Sequence, residues 1–74
     1  MSIITVVWIE CIDIGWGDYA QPERTIEIEW DGPIDPEAVS REVDRRVYDR
    51  WTNFDRIVEI SQNGESVWFD WSGA

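Results

Sequence analysis

Apolar residues along the chain fall into runs with strand character and one run with helical spacing. From Ile3 to Ile14 they crowd together as Ile3, Ile4, Val6, Val7, Trp8 and Ile9, followed by Cys11, Ile12 and Ile14. Such β-branched density predicts strand over helix. Both alternating sides are apolar as far as Ile9, so this strand is expected at the centre of a sheet, or with its second side against a loop or another chain. Glu10 and Asp13 interrupt the run toward its end. Arg24 to Trp30 alternates cleanly, with Ile26, Ile28 and Trp30 on one side and Thr25, Glu27 and Glu29 on the other. That is the pattern of a half-exposed strand, joined antiparallel to the first.

Phe54 to Ser61 and Glu65 to Trp71 flank Asn63-Gly64, a strong short hairpin signal because both turn positions favour positive φ. A two-residue turn there pairs Ile60 with Val67, Val58 with Phe69 and Arg56 with Trp71, on the side expected to face a helix. Glu59 with Trp68, and Ile57 with Asp70, then fall on the opposite side.

The helical run lies between Ile34 and Trp51. Asp35 suits an N-cap, Pro36 the first helical position, and Glu37 the positive end of the helix dipole. Ile34 and Val39 have hydrophobic-staple spacing. Val39, Val43 and Val47 recur every fourth residue as a narrow stripe that can lie on a sheet, with Trp51 extending it and Tyr48 off it. Valine is a moderate helix former, so this helix depends on the sheet to hold it.

Between the first two strands, Gly15 to Pro22 reads as a loop by its Gly, Asp and Pro content. It carries Trp16 and Tyr19, which either fold back over the end of the core or serve as aromatic anchors for a partner. The whole reads as a single α+β domain over residues 1–74, a small two-layer β-β-α-β-β arrangement. It has a four-stranded, mostly antiparallel sheet with one helix packed on one face. No internal repeat, low-complexity segment or linker interrupts it.

Charge changes the picture most. The net charge is −10, from sixteen acids against six basic residues, all of them Arg; Lys and His are absent. The helical stretch balances Glu37, Glu42, Asp44 and Asp49 against Arg41, Arg45, Arg46 and Arg50, leaving Arg24 and Arg56 for all the remaining acids. Glu37 with Arg41 and Glu42 with Arg46 are favourable pairs along the helix. This balance argues against direct contact with nucleic acid or an anionic membrane, and favours a basic protein partner. The plain alternative is that acidity keeps a small, Trp-rich chain soluble.

Chemistry is sparse. Without His or Lys, the commonest general base, the commonest zinc ligand, Schiff-base chemistry and the P-loop are all missing. Cys11 is the lone cysteine, excludes an internal disulfide, and sits where a buried, inert thiol is expected. Carboxylates alone neither match an EF-hand spacing nor define an acid–base pair. No enzyme activity, cofactor or metal is expected. No basic leader precedes Ile3, and no apolar run is long enough to span a bilayer, so the expected setting is a reducing cytoplasm.

What remains is a surface. Glu27, Glu29 and Asp31 project from one side of their strand at intervals of about 7 Å if the strand runs through Asp31. Glu59 and Asp70 on the last hairpin join them, with Trp68 and Ile57 set among the charges. Asp18, Trp16 and Tyr19 in the loop complete the expected partner-binding set. An ordinary solvated strand face, whose acids discourage edge-to-edge aggregation, is the competing reading. Spaced carboxylates can imitate backbone phosphates toward a partner's Arg and Lys, while aromatics supply desolvated anchors. In size, charge and aromatic content the chain resembles small acidic inhibitors as a class: phage anti-CRISPR and anti-restriction proteins, DNA mimics and nuclease immunity proteins. That resemblance implies an inhibitor of a nucleic-acid-processing protein. The alternative is a structural module that forms a homodimer through its doubly apolar first strand.

Overall fold

A computed structural model describes residues 2–48 and 53–70. The elements, in chain order, are β1 (Ser2–Glu10), β2 (Ile12–Gly15), β3 (Asp18–Ala20), β4 (Glu23–Trp30), α1 (Pro36–Val47), β5 (Phe54–Gln62) and β6 (Glu65–Phe69). A four-stranded sheet has the order β4-β1-β5-β6, antiparallel throughout, and β2 with β3 forms a separate two-stranded hairpin. The small α+β architecture anticipated above is the one found. The doubly apolar first strand is central, as its pattern predicts.

The helix begins where its cap dictates. Asp35 stays extended at φ −109° and ψ 114°, and its carboxylate accepts a 3.1 Å hydrogen bond from the Glu37 amide. Its carbonyl accepts the first helical bond, from the Val39 amide at 2.9 Å. Val39 and Val43 are fully buried, and Val47 and Ile34 pack against the same core. The helix is shorter than its charge and valine pattern suggested. Tyr48 caps it, leaving the helical region at ψ 124° with its ring exposed. Trp51 lies outside the described residues.

The core is one layer between helix and sheet. Ile4, Val6 and Trp8 from β1, Ile28 from β4, and Ile57 and Ile60 from β5 are buried with Val39 and Val43. Ile26, Trp30, Phe54 and Trp68 close its margins. The Trp8 ring packs against Phe54 at 5.8 Å between centroids, although the buried indole N–H of Trp8 has no hydrogen-bond partner among the described residues. Such an unmet donor costs about 1–3 kcal/mol, which the burial of the large ring offsets. At the same end of the sheet Glu10, also buried, has its carboxylate held by Arg24 Nε at 3.0 Å.

Three extra residues rewrite the alternation of the C-terminal hairpin. Against β1, Val7 faces Glu59 and Trp8 faces Ile57, which leaves Val58 without an opposite number; Asp55 is likewise skipped between Arg56 and Phe54. Each bulge turns the following side chains over. Phe54, Ile57 and Ile60 therefore face the core at intervals of three rather than two. In β6, Ser61 faces Ser66 while Ile60 faces Trp68, so Val67 is the extra residue. The Asn63-Gly64 turn forms with both φ angles positive, at 54° and 80°. The pairings of Ile60 with Val67, Val58 with Phe69, Glu59 with Trp68 and Ile57 with Asp70 are nevertheless displaced by these bulges. The extra residue at Val67 turns the side chains after it over, so Trp68 packs against the core while Val67 and Phe69 are left exposed. The pairing of Arg56 with Trp71 lies outside the described residues.

The first apolar run is also two strands, not one. At the break, the Glu10 amide donates to the Pro22 carbonyl at 3.1 Å and the Cys11 amide to that of Asn53 at 2.8 Å. Cys11 is half-buried at this corner, more open than its apolar surroundings in sequence suggested. The expected loop after it contains β3 instead. Ile12 faces Ala20, Asp13 faces Tyr19 and Gly15 faces Asp18, and Trp16-Gly17 forms the turn. No described helix is long and apolar enough to cross a membrane.

Loss of the cap gives the first test. Asp35→Ala should lower unfolding free energy by about 0.5–2 kcal/mol, with Asp35→Asn nearly neutral, as measured by urea denaturation.

Candidate functional site

The helix covers one side of the main sheet; on the other side of β1, Ile3 is exposed, Thr5 and Val7 are half-buried and Ile9 is buried. Because Ile4, Val6 and Trp8 point to the helix, Ile3, Thr5, Val7 and Ile9 line the opposite side. The register then places four cross-strand rows there. Glu29 lies beside Ile3; Glu27, Thr5, Ser61 and Ser66 form the next row; Thr25, Val7, Glu59 and Phe69 follow; Glu23, Ile9 and Arg56 end the series. An apolar column thus runs between an acidic edge strand and Glu59, with Ile3 51 % and Phe69 44 % exposed.

The anticipated acidic face forms in part. Glu27, Glu29 and Glu59 share it, as their alternation suggested. Asp31 lies past the end of β4, exposed and outside the strand, ahead of the Gly32 turn at φ 89°. Asp70 is mostly buried, with its carboxylate 3.7 Å from Arg56 Nε, and is unsuited to reaching a partner. Trp68 and Ile57, expected among the charges, are on the helix side. Phe69 occupies the aromatic position that Trp68 was expected to hold. Glu23 was missed because the strand was read from Arg24; Pro22 just before it marks the true start.

Ion pairing sharpens the charge pattern. Arg24 is committed to Glu10, and Arg56 to Asp55 at 2.9 Å as well as to Asp70. On the helix, Glu42 receives Arg45 Nη2 and Arg46 Nε, each at 2.6 Å. The Arg46 contact is the expected one; Glu37 with Arg41 does not form an ion pair. Hydrogen bonds from the two guanidinium groups hold the Glu42 carboxyl at about 2, well below 4.5. The same contact raises Arg45. Glu23, Glu27, Glu29 and Glu59, by contrast, have no cation against them among the described residues. On the helix, Glu37 and Asp44 likewise have no ion-pair partner among the described residues, although its arginines balance its acids overall.

The β2–β3 hairpin presents a second feature. Trp16 is fully exposed at its tip, with Ile14 and Tyr19 exposed nearby and Asp18 beside it. Trp16 also adopts φ 59°, in the left-handed region that bulky residues rarely enter. Neither packing nor turn preference explains an indole there, since the ring does not fold back over the core. Gly15, at φ 92°, donates its backbone N–H to the Asp13 carboxylate at 2.8 Å. The hairpin holds Trp16, Asp18 and Tyr19 together but apart from the row of glutamates in sheet pairing.

No described group of three or more Cys, Asp or Glu side chains is arranged to hold a metal ion. Compared with protein-family models, curated proteins and solved structures, the chain matches none.

Two measurements check this layout. Trp16→Asn should leave stability unchanged or raise Tm by up to about 5 °C, because Asn tolerates the left-handed turn and no buried contact is lost. Glu42 has a depressed folded-state pKa, so its contribution is present above about pH 4.5 and disappears as pH falls toward 2. The Tm difference between the wild type and Glu42→Gln should therefore be constant near neutrality and shrink across that acidic window.

Proposed function

We propose that this chain is a small acidic inhibitor that binds a nucleic-acid-processing protein or complex and occupies its basic nucleic-acid-binding surface. Phage counter-defence proteins of the anti-CRISPR or anti-restriction kind act in a setting that fits such a molecule. One observation carries the reading: Glu23, Glu27, Glu29 and Glu59 stand without counter-cations among the described residues on the sheet face opposite the helix. Carboxylates in such rows offer Arg and Lys the charge and acceptor geometry of phosphates. Opposite net charges steer the encounter, and the apolar column of Ile3, Val7 and Phe69 supplies contact that charge alone does not. Trp16 and Tyr19 add an anchor at one end.

A second reading uses the same column differently. Exposed Ile3 and Phe69 would join two copies face to face, giving a structural homodimer. Facing copies also bring their uncompensated glutamates together, which weighs against it.

Affinity capture from the native host separates these readings. The wild-type chain should retain a basic nucleic-acid-binding protein that elutes as salt rises through roughly 0.1–0.5 M, where screening shortens below 10 Å. Glu27→Lys/Glu29→Lys should retain it at least about tenfold less well, a loss of the size reported for close interfacial charge pairs. Retention indifferent to salt and to charge reversal, together with a dimeric mass by light scattering, would favour the second reading.

A further inference from the structure

The two edges of the main sheet are built differently. β6 has five residues and is bent by the bulge at Val67, a form that discourages further pairing. β4 has eight, and it pairs with β1 in unbroken register from Trp30 opposite Ser2 to Glu23 opposite Ile9. It contains no proline, glycine or bulge. Among the described residues, no backbone hydrogen bond is made to its outer edge from any other element. A straight edge of this length is a template for another strand.

Its side chains select what that strand can be. Glu23, Thr25, Glu27 and Glu29 lie on the side away from the helix, while Ile26, Ile28 and Trp30 lie on the helix side. Ile26 and Trp30 are only half-buried, so they have apolar surface left for a neighbour. A second copy of β4 is a poor neighbour. Antiparallel pairing sets residues of the same face opposite one another, and any well-overlapped register puts at least one glutamate directly against another. A strand that alternates Arg or Lys with apolar residues meets both sides at once: its cations oppose the glutamates, and its apolar side chains extend the core beside Ile26 and Trp30.

We propose that the outer edge of β4 receives an extended basic strand of the partner protein as a fifth strand of the sheet. This rests on the partner being basic, as argued above, and adds that the main chain of β4 takes part in recognition. Affinity then comes from backbone hydrogen bonds and specificity from alternate side chains.

The test uses the full chain labelled with ¹⁵N and a short synthetic peptide of alternating Arg and Val, beside a counterpart of equal charge whose backbone amides are N-methylated. The unmodified peptide should slow amide exchange along β4, and methylation should weaken binding by about tenfold or more through loss of backbone hydrogen bonds. Glu27→Lys/Glu29→Lys should reject the Arg-Val peptide and accept a Glu-Val one. Equal binding of the methylated peptide, or protection confined to strands other than β4, would overturn edge pairing while leaving an acidic face that binds cations. Failure of the unmodified peptide to bind would overturn edge pairing too, and the capture experiment would then decide separately whether the partner is basic.

Discussion

β1 is hydrogen-bonded along both of its edges and apolar on both of its faces, and the rest of the fold is arranged by that constraint. One face, through Ile4, Val6 and Trp8, needs a second layer, and Val39 and Val43 of α1 supply it. In so small a chain the helix is used up by this task, since its valines do not hold a helix without burial. The other face of β1 leaves Ile3 exposed and Val7 half-buried, and only Ile9 at its end is buried. A sheet with one side buried and the other facing water normally alternates apolar with polar residues, and β1 departs from that pattern.

The charges follow the same division. The helix is neutral over Pro36–Val47, with three acids and three arginines, and much of that charge is tied up at Glu42. Beyond the helix, Arg24 and Arg56 neutralise acids at one end of the sheet. The β4 glutamate row and Glu59, which flank the apolar column, are among the acids that no arginine pairs within the described residues. Charge and exposed apolar surface therefore coincide on the face that the helix cannot reach. The helix orients this face without belonging to it.

Much of this was legible from local signals. Asp35-Pro36-Glu37 located the helix start, Asn63-Gly64 the second hairpin, and the alternation of Ile26, Ile28 and Trp30 the side on which Glu27 and Glu29 lie. Bulges were not legible. Strict alternation placed Trp68 and Ile57 outside, whereas the insertions at Val58 and Val67 turn both toward the core and bring Phe69 out. A bulge is chosen by the gain from burying one particular side chain in three dimensions, which periodicity does not record. Asp70 was misread for a related reason: its partner Arg56 is fourteen residues away and meets it only once the hairpin closes. The β2–β3 hairpin was hidden because its turn uses Trp16 at positive φ, a position where Asn or Gly is the ordinary signal.

That exception at Trp16 and the bare glutamate row have one property in common. Each leaves the isolated chain with surface or strain that its own fold does not use, and a partner that accepts both gives them a purpose. The most direct measurement of this account is competition on the captured partner: fluorescence anisotropy of its labelled nucleic acid while the chain is titrated in. The account predicts that the wild-type chain displaces the nucleic acid and that Glu27→Lys/Glu29→Lys does not. A ternary complex, with the nucleic acid still bound at saturating chain, would contradict it.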